Sequence, residues 1–296
     1  MRIGVQLPHR SVGFDPSAVA DYAQTAEAAG FDYLLVFEHV AGAHPDRFRE
    51  VDTGFRSPPY LHDDPFHEPF TLFAYLAGLT KRIEFTTSVL VLPQRQTVLV
   101  AKQAAEVSLL SGGRLRLGVG VGWNHAEYEA LGADFHDRGR RVEEQIAVLR
   151  KLWTEPLVSF QGRWHALNRV AIAPLPTQPI PIWIGGGLGA ATLRRVARLG
   201  DGWMPMGLGN DPAQTVAEMH RYLAEAGREP SSLGLQGGIG TTGGPQDWVT
   251  AAKRWQAAGA THLSVMINDQ GPGPGAMQRL ERAIEVRRVV RDELGG

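Results

Sequence analysis

The chain has 296 residues, with 30 Lys and Arg, 31 Asp and Glu, and a net charge of -1. This balance gives no electrostatic signature of a nucleic-acid partner or an anionic membrane surface. The absence of cysteine excludes disulfides, thiolate nucleophiles and Cys-ligated metal centres. The first apolar run is short and broken by Gln6 and Pro8, which is typical of a strand rather than a signal peptide, and no stretch is apolar enough to span a bilayer. We therefore expect a cytoplasmic protein.

Strands and helices are predicted to alternate along the chain. Apolar runs predict strands at residues 3–7, 33–37, 83–92, 115–119, 181–184, 202–206, 233–239 and 262–267. Helical spacing predicts helices at residues 18–29, 70–79, 98–110, 140–153, 190–199, 213–226, 248–258 and 276–294. Eight strand-then-helix units predict one domain over residues 1–296, an α/β fold of the (β/α)8 TIM-barrel type. A doubly wound open sheet is the alternative.

Two connections are longer than the barrel requires. Residues 40–68, after the second strand, form an extended loop rich in His and Asp, which we interpret as a lid. Residues 155–177 form an insertion between the fourth helix and the fifth strand, and the sequence VSFQGRWHAL within it predicts a hairpin that turns at Gly162. The His, Asp and Glu residues of the extended loop lack a metal-ligand spacing, so no metal site is expected there.

Three predicted strands end in residues suited to ligand contact, and ligands of parallel barrels bind at the strand carboxyl ends. Glu38 and His39 follow the second strand, and this histidine can act as a general acid or bind a cofactor carbonyl. Thr87 and Ser88 form a polar step in the otherwise apolar third strand. The fourth strand runs into alternating glycines, which admit a planar ring close to the backbone, and a tryptophan that can form a pocket wall: Gly118, Gly120, Val121, Gly122 and Trp123.

A glycine turn separates the fifth strand from the helix that follows it. Gly185, Gly186 and Gly187 are consecutive, and the next helix opens near Gly189. Glycines let a phosphate approach backbone N–H groups, and a helix N-terminus favours negative charge. A tight turn that needs glycine only for geometry is the alternative. We interpret the turn as a phosphate site, although it is neither a P-loop nor a dinucleotide-binding fingerprint.

The order and content of these segments resemble the luciferase-like monooxygenase superfamily, and within it the oxidoreductases that depend on coenzyme F420. The resemblance is carried by IGVQLP, AEAAGFDYLLVFEHV, FTTSVLVLPQRQTVLVAKQAAEVSLLSGGRLRLGVGVGWNHAEYEALG, RGRRVEEQIAVLRKLW, PIPIWIGGG and LGDGWMP. These pieces keep their order and are spread from residue 3 to residue 205. The resemblance implies a (β/α)8 barrel with a flavin or deazaflavin at the carboxyl ends of the strands, and a homodimer.

The resemblance also implies roles for particular residues. Ser88 and Val89 match a bulged, non-prolyl cis peptide that backs the cofactor ring, and His39, after an acidic residue that is Glu38 here, faces that ring. The segment from Gly120 to Trp123, which includes Val121 and Gly122, matches the loop beside the ring and its ribityl chain. Gly185, Gly186 and Gly187 match the phosphate turn. Related sugar-phosphate dehydrogenases have a proton-donating glutamate after the fourth strand, and Trp123 occupies the nearest position here.

We expect hydride transfer between coenzyme F420 and a small organic substrate, with His39 and Trp123 as the catalytic candidates. Coenzyme F420 extends past its phosphate into a glutamate tail, so its site should include positive charge, and Arg194, Arg195 and Arg198 follow the glycine turn. Three alternatives remain. The cofactor could be FMN in a reduced-flavin monooxygenase, the chain could be a non-catalytic flavin-binding barrel, or it could be a barrel hydrolase that uses the acidic residues near His62.

Overall fold

A computed structural model describes residues 1–49, 58–206, 212–269 and 275–295. Its principal feature is a ring of parallel strands. The strands of the ring are β1 (Arg2–Gln6), β2 (Tyr33–Val36), β3 (Glu84–Thr87), β4 (Leu90–Val91), β5 (Leu115–Gly120), β8 (Ile182–Gly186), β9 (Gly202–Pro205), β10 (Gly234–Gly240) and β11 (His262–Met266). Strands β3 and β4 together occupy one position, so the ring has eight positions and the predicted (β/α)8 barrel is confirmed.

The barrel closes because the first and last chain segments pair with each other. Strand β1 lies between β2 and β11, with Val5 opposite Leu34 and Val265. The ring then continues through β10, β9, β8 and β5, and β5 pairs back with β3 at Phe85 and Leu115. All these pairings are parallel, which brings the carboxyl ends of the strands to one mouth of the barrel.

Helices cover the outside of the ring in the predicted order, with ends that differ by a few residues from those predicted. The α-helices are α1 (His9–Val12), α2 (Pro16–Ala28), α3 (Pro69–Leu79), α4 (Thr97–Ser111), α5 (His125–Ala130), α6 (Arg138–Thr154), α7 (Ala190–Leu199), α8 (Ala213–Glu225), α9 (Pro245–Ala257) and α10 (Ala276–Glu293). Helices α1 and α5 are short and were not predicted. No helix among the described residues is long and apolar enough to cross a membrane.

The insertion forms the predicted hairpin, with β6 (Val158–Gln161) antiparallel to β7 (Ala166–Val170). One carboxylate of helix α6 holds its turn. Glu144 accepts hydrogen bonds from the backbone N–H groups of Arg163, Trp164 and His165 and from the His165 ring. These contacts attach the hairpin to the outside of the barrel.

Strand alternation divides the barrel into an outer and an inner set of side chains. In β5, Leu115, Leu117 and Val119 belong to the apolar core, which packs beneath the helices. Successive side chains of a strand point to opposite faces, so Arg116 and Gly118 face the barrel interior. The interior therefore contains polar and very small residues at positions where parallel barrels usually carry branched apolar ones.

The third predicted strand, residues 83–92, is not continuous. It divides into β3 and β4 at the peptide bond between Ser88 and Val89, which is cis, as the resemblance predicted. The backbone N–H of Ser88 bonds to the carbonyl of Val36 at 2.8 Å. Beyond the cis bond, β4 pairs with the end of β5, where Leu90 lies opposite Val119.

The side chain of Val89 explains two of the glycines singled out in the sequence. A Cβ added at Gly120 would lie 2.4 Å from Val89 Cγ2, and one added at Gly185 would lie 2.5 Å from Val89 Cγ1. Both distances are far below a real carbon–carbon contact. Gly120 and Gly185 are therefore required to accommodate Val89 inside the barrel wall, independently of any ligand.

Candidate active site

A cavity of 520 Å³ opens at the mouth of the barrel. Its wall combines the carboxyl ends of four neighbouring strands, β2, β1, β11 and β10, with the far arm of the extended loop. Polar and aromatic side chains line it, among them Gln6, His9, Phe37, His39, Tyr60 and Phe66. The volume lies within the range of small-molecule sites, and its position is where parallel barrels bind their ligands.

His39 contacts a buried carboxylate in this wall. Its Nδ1 lies 3.1 Å from Oε2 of Glu127, and its side chain is 15% exposed. A carboxylate only accepts hydrogen bonds when ionised, so Nδ1 carries the hydrogen and donates it to Glu127. This tautomer leaves Nε2 as the ring nitrogen that can exchange a proton with a ligand in the cavity.

Glu127, on helix α5, is 2% exposed and has several donors around it. Besides His39, the backbone N–H groups of Val40 and Ala41 and the hydroxyl of Tyr60 donate to its two oxygens. Burial alone would raise the pKa of Glu127, but the hydrogen bond and charge of His39 and the two N–H groups outweigh burial and lower it. Glu127 is therefore ionised and holds His39 in one orientation.

Tyr60 completes this cluster from the far arm of the extended loop. Its ring stacks on the His39 ring at 3.7 Å, and its hydroxyl accepts a hydrogen bond from Asn124 Nδ2 at 2.6 Å. Burial, and then the charge of Glu127, raises the pKa of Tyr60, so the phenol stays protonated. Trp123 stands beside the pair, with its ring centroid 5.4 Å from Tyr60 and 6.2 Å from His39. His39 and Trp123, the two predicted catalytic residues, thus lie in one aromatic group.

Glu38 lies on the other side of the wall and does not line the cavity. It is 2% exposed, accepts a hydrogen bond from the Val91 N–H at 2.7 Å, and pairs with Arg95 at 2.7 Å. Burial raises the pKa of Glu38, and this effect exceeds the opposing charge of Arg95. In this structure, Glu38 joins the end of β2 to the start of β4.

His9 is a second histidine in the cavity wall, and sequence reasoning did not identify it. Its Nε2 donates to the carbonyl of Phe37 at 3.0 Å, and its Nδ1 accepts from the N–H of His67 at 3.3 Å. Burial, and then the charge of His67, lowers the pKa of His9 to about 4. The ring is therefore neutral at physiological pH, with both nitrogens used by backbone groups.

The glycine turn lies outside the described cavity lining but has open space above it. Gly186 has a φ of +152°, which favours glycine, whereas a Cβ added at Gly187 or Gly189 would meet nothing within 4 Å. No side chain caps helix α7, which begins at Ala190. The first N–H groups of a helix have no partner within it, so this N-terminus can accept an anion.

The arginines of helix α7 do not supply positive charge to this turn. Arg195 is 8% exposed, donates to the carbonyl of Gly139 at 2.9 Å and pairs with Glu143 at 3.2 Å. Arg198 also pairs with Glu143, and Arg194 lies over the Tyr222 ring. The helix therefore directs its charges toward α6 and α8.

The two described arms of the extended loop pack against each other beside the site. A Cβ added at Gly42 would lie 2.2 Å from the carbonyl oxygen of Leu61, and Asp64 pairs with Arg10. Residues 50–57 of the predicted lid lie outside the described residues. In the parts of the chain that the structure describes, no group of three or more His, Asp and Glu side chains could hold a metal ion.

Sequence reasoning identified His39 and Trp123 but missed Glu127 and Tyr60. One signal was available for Glu127. It stands three residues after Asn124, the spacing of a helix-capping pair, directly beyond a strand end. Asn124 does cap α5 through the N–H groups of Ala126 and Glu127, and this turn aims Glu127 back toward His39. Nothing in the sequence joins Tyr60 to this cluster.

The family model described as luciferase-like monooxygenase matches residues 1–285 of the chain. An uncharacterised protein of Mycobacterium tuberculosis is 34% identical over 271 residues, which span 89% of this chain and 91% of that relative. The chain belongs to the luciferase-like monooxygenase family and is an oxidoreductase. The family resemblance noted in the sequence is thereby confirmed.

Two further proteins are similar to this chain, one in sequence and one in structure. The F420-dependent hydroxymycolic acid dehydrogenase of Mycobacterium tuberculosis is 28% identical over 294 residues, 97% of this chain and 74% of that protein. Among solved structures, an F420-dependent secondary alcohol dehydrogenase in complex with an F420-acetone adduct superposes with a TM-score of 0.75 over 98% of this chain and 99% of that one. At 18% identity, this second likeness supports the fold alone.

Proposed function

We propose that the protein transfers hydride between coenzyme F420 and a small organic substrate. The observation that carries the proposal is His39, which lines a 520 Å³ cavity at the barrel mouth and is hydrogen-bonded to the buried, ionised Glu127. A deazaflavin supplies hydride chemistry when it is bound, and the protein supplies orientation and proton handling. The F420-dependent relatives favour this cofactor.

His39 is the group that moves a proton in this proposal. Glu127 fixes the hydrogen on Nδ1, so Nε2 can take a proton from a substrate hydroxyl or return one to a carbonyl oxygen. The resulting imidazolium would be stabilised by Glu127, whose carboxylate is already ionised and buried. Trp123, Phe66 and Tyr60 surround the ring and limit the access of water to it.

The residues present fit a cofactor with a phosphate. Gly187 and Gly189 leave open space at the uncapped N-terminus of α7, so we assign the phosphate to this end of the glycine turn. Ser88 and Val89 form the bulge that would back the ring, and Gly120, Val121 and Gly122 lead from the bulge to Trp123. The role of Gly185 in the phosphate site is indirect, because its missing side chain accommodates Val89.

The second candidate is a monooxygenase that uses reduced FMN and oxygen, and the description of the matching family favours it. FMN ends at its phosphate and needs no basic tail site. The arginines of α7 are turned away from the glycine turn, and this removes one argument that distinguished F420 from FMN.

Parallel titrations of the apoprotein with F420 and FMN test the choice of cofactor. We expect F420 to bind more tightly and to be reduced or oxidised with an alcohol or carbonyl substrate. FMN binding at least about tenfold tighter, a difference of about 1.4 kcal/mol, would overturn the proposal. Turnover with reduced FMN and oxygen but not with F420 would establish the monooxygenase, and tight binding without any turnover would indicate a flavin-binding barrel.

A cytoplasmic homodimer belongs to the same proposal. Closed two-fold dimers are the commonest soluble assembly, and the family resemblance suggests one here. Light scattering at micromolar concentration should give twice the chain mass of 32.3 kDa. A single-chain mass would contradict the dimer and leave the cofactor proposal untouched.

A further inference from the structure

The end of the barrel opposite the cavity contains a buried arginine. Arg116 is the second residue of β5, faces the barrel interior by strand alternation, and is 4% exposed. Its guanidinium carbon lies 4.5 Å from the centroid of the Tyr33 ring and 4.3 Å from that of Trp183. We call this end, lined by Tyr33, Arg116, Trp183, His262 and Ser264, the barrel floor.

Glycines in neighbouring strands make room for the two aromatic rings. A Cβ at Gly4 would lie 2.2 Å from the Tyr33 ring, and a Cβ at Gly202 or Gly234 would lie 2.1 or 2.4 Å from Trp183. The aromatic contacts stabilise the cation but leave its N–H groups, which lie in the guanidinium plane, in need of acceptors.

No carboxylate or carbonyl among the described residues accepts a hydrogen bond from Nε, Nη1 or Nη2 of Arg116, and the Tyr33 hydroxyl interacts with the guanidinium only outside regular hydrogen-bond geometry. The carboxylate of Glu84 acts on Arg116 only at longer range, because it is hydrogen-bonded to Arg2 at 2.5 Å. Removing a charge from water without a counter-charge costs several kcal/mol. The floor therefore has an excess positive charge and an excess of hydrogen-bond donors.

The remaining floor groups do not correct this excess. Burial, and then the charge of Arg116, lowers the pKa of His262 to about 2, so this ring is neutral. Tyr33 and Ser264 share one hydrogen bond of 2.9 Å, which leaves a further hydroxyl hydrogen to donate. Gln236, opposite His262 in the strand register, has a buried Oε1 without a protein partner, but this oxygen is uncharged.

We propose that the barrel floor binds a small inorganic anion of the chloride class at the N–H edge of Arg116. The anion would provide the missing negative charge. It would also accept hydrogen bonds from the guanidinium N–H groups of Arg116. Because Arg116 is 4% exposed and two rings contact its guanidinium, the proposed ligand is a small ion rather than an extended organic molecule. This site is separate from the cavity at the mouth and independent of the cofactor.

Crystals grown with bromide as the sole halide test the site directly. We expect an anomalous peak within hydrogen-bonding reach of the Arg116 nitrogens. Density for water alone at this position, with no anomalous signal, would overturn the proposal. The experiment uses the unmodified protein, so its outcome does not depend on the folding of a variant.

Thermal unfolding provides a second test in solution. At equal ionic strength, we expect Tm to be about 3 °C higher in chloride than in gluconate, a much larger anion. This difference should disappear in Arg116→Met, or in Arg116→Gln if the Met variant does not fold. Equal Tm values for the unmodified protein in the two salts would also overturn the proposal.

Arg114→Met is the matched control, since Arg114 is two residues away on the same segment. Its guanidinium donates to protein carbonyls, including those of Ile83 at 2.7 Å and Ala77 at 3.1 Å. The control should lose stability yet keep the chloride dependence. A chloride dependence lost equally in both variants would contradict a site at Arg116.

Discussion

The mouth and the floor of this barrel differ in how their buried charges are compensated. At the mouth, Glu127 has His39, Tyr60 and two backbone N–H groups as partners, and Glu38 has Arg95. At the floor, Arg116 contacts two aromatic rings, and no carboxylate or carbonyl among the described residues accepts a hydrogen bond from it. The mouth is thus arranged before a ligand arrives, whereas at the floor the buried cation has no carboxylate partner of its own.

The largest expected effect is a loss of folding stability. A side chain added in the barrel interior should destabilise the protein far more than one added at the rim of the mouth. A Cβ at Gly118 would lie 1.9 Å from the backbone oxygen of Thr87, so Gly118→Ala should cost about 3 kcal/mol or more, or prevent folding. Gly187→Ala is the control at the rim, where the added carbon meets nothing within 4 Å. Urea unfolding measures both, and similar stabilities would show that the interior can relax.

The next effect is a pH dependence of folding stability, and it arises from a histidine at the mouth. The native state keeps His9 neutral down to about pH 4, whereas the unfolded chain takes up this proton below about pH 6.5. Stability should therefore fall as pH drops through this window, by about 3 kcal/mol in total. His9→Gln should make the slope shallower, as followed by urea unfolding at stepped pH. His44→Gln, at a histidine that is 62% exposed, is the control, and an equal change of slope in both variants would contradict the assignment to His9.

Glu127→Gln tests whether the partnered mouth is organised for proton transfer. The amide can still hydrogen-bond but cannot stabilise an imidazolium, so we expect kcat to fall about 10- to 100-fold and the pH profile to shift. Glu129→Gln, on the same helix and exposed, is the matched control. An unchanged pH profile in Glu127→Gln would assign Glu127 a purely structural role.

The smallest effect should appear at the glycine turn. Gly187→Asp places a negative charge beside the proposed phosphate and should raise the Kd of the cofactor about tenfold, or about 1.4 kcal/mol. Gly187→Asn has nearly the same shape without the charge and should bind almost normally. Equal binding by the two variants would place the phosphate elsewhere on the barrel.

The barrel could be predicted because each strand and helix has a clear period and each connection has turn residues. The third strand shows where this reasoning ends: residues 83–92 form one apolar run, yet the chain divides there into two strands. The polar step at Thr87 and Ser88 and the family resemblance together indicated the break at Ser88 and Val89. Helix α5 could not be predicted from the sequence because six residues are too few to show a helical period.

The site was less predictable because its partners come from distant segments. His39 could be proposed from its place after a strand, but its contacts with Tyr60 and Glu127 join residues 21 and 88 positions away along the chain. Composition carries no information on such pairings. The glycines predicted ligand contacts only in part. Gly120 and Gly185 are explained by the packing of Val89, whereas the space that a ligand could occupy lies at Gly187 and Gly189.

The fit of Val89 between Gly120 and Gly185 also determines the order in which this wall can evolve. An alanine at position 120 or 185 meets a Val89 methyl group, so either substitution alone is destabilising. If Val89 first becomes alanine, these methyl groups are gone and the glycine positions gain room for a side chain. The three sites are therefore epistatic: the same pair of substitutions is accessible in one order and blocked in the other.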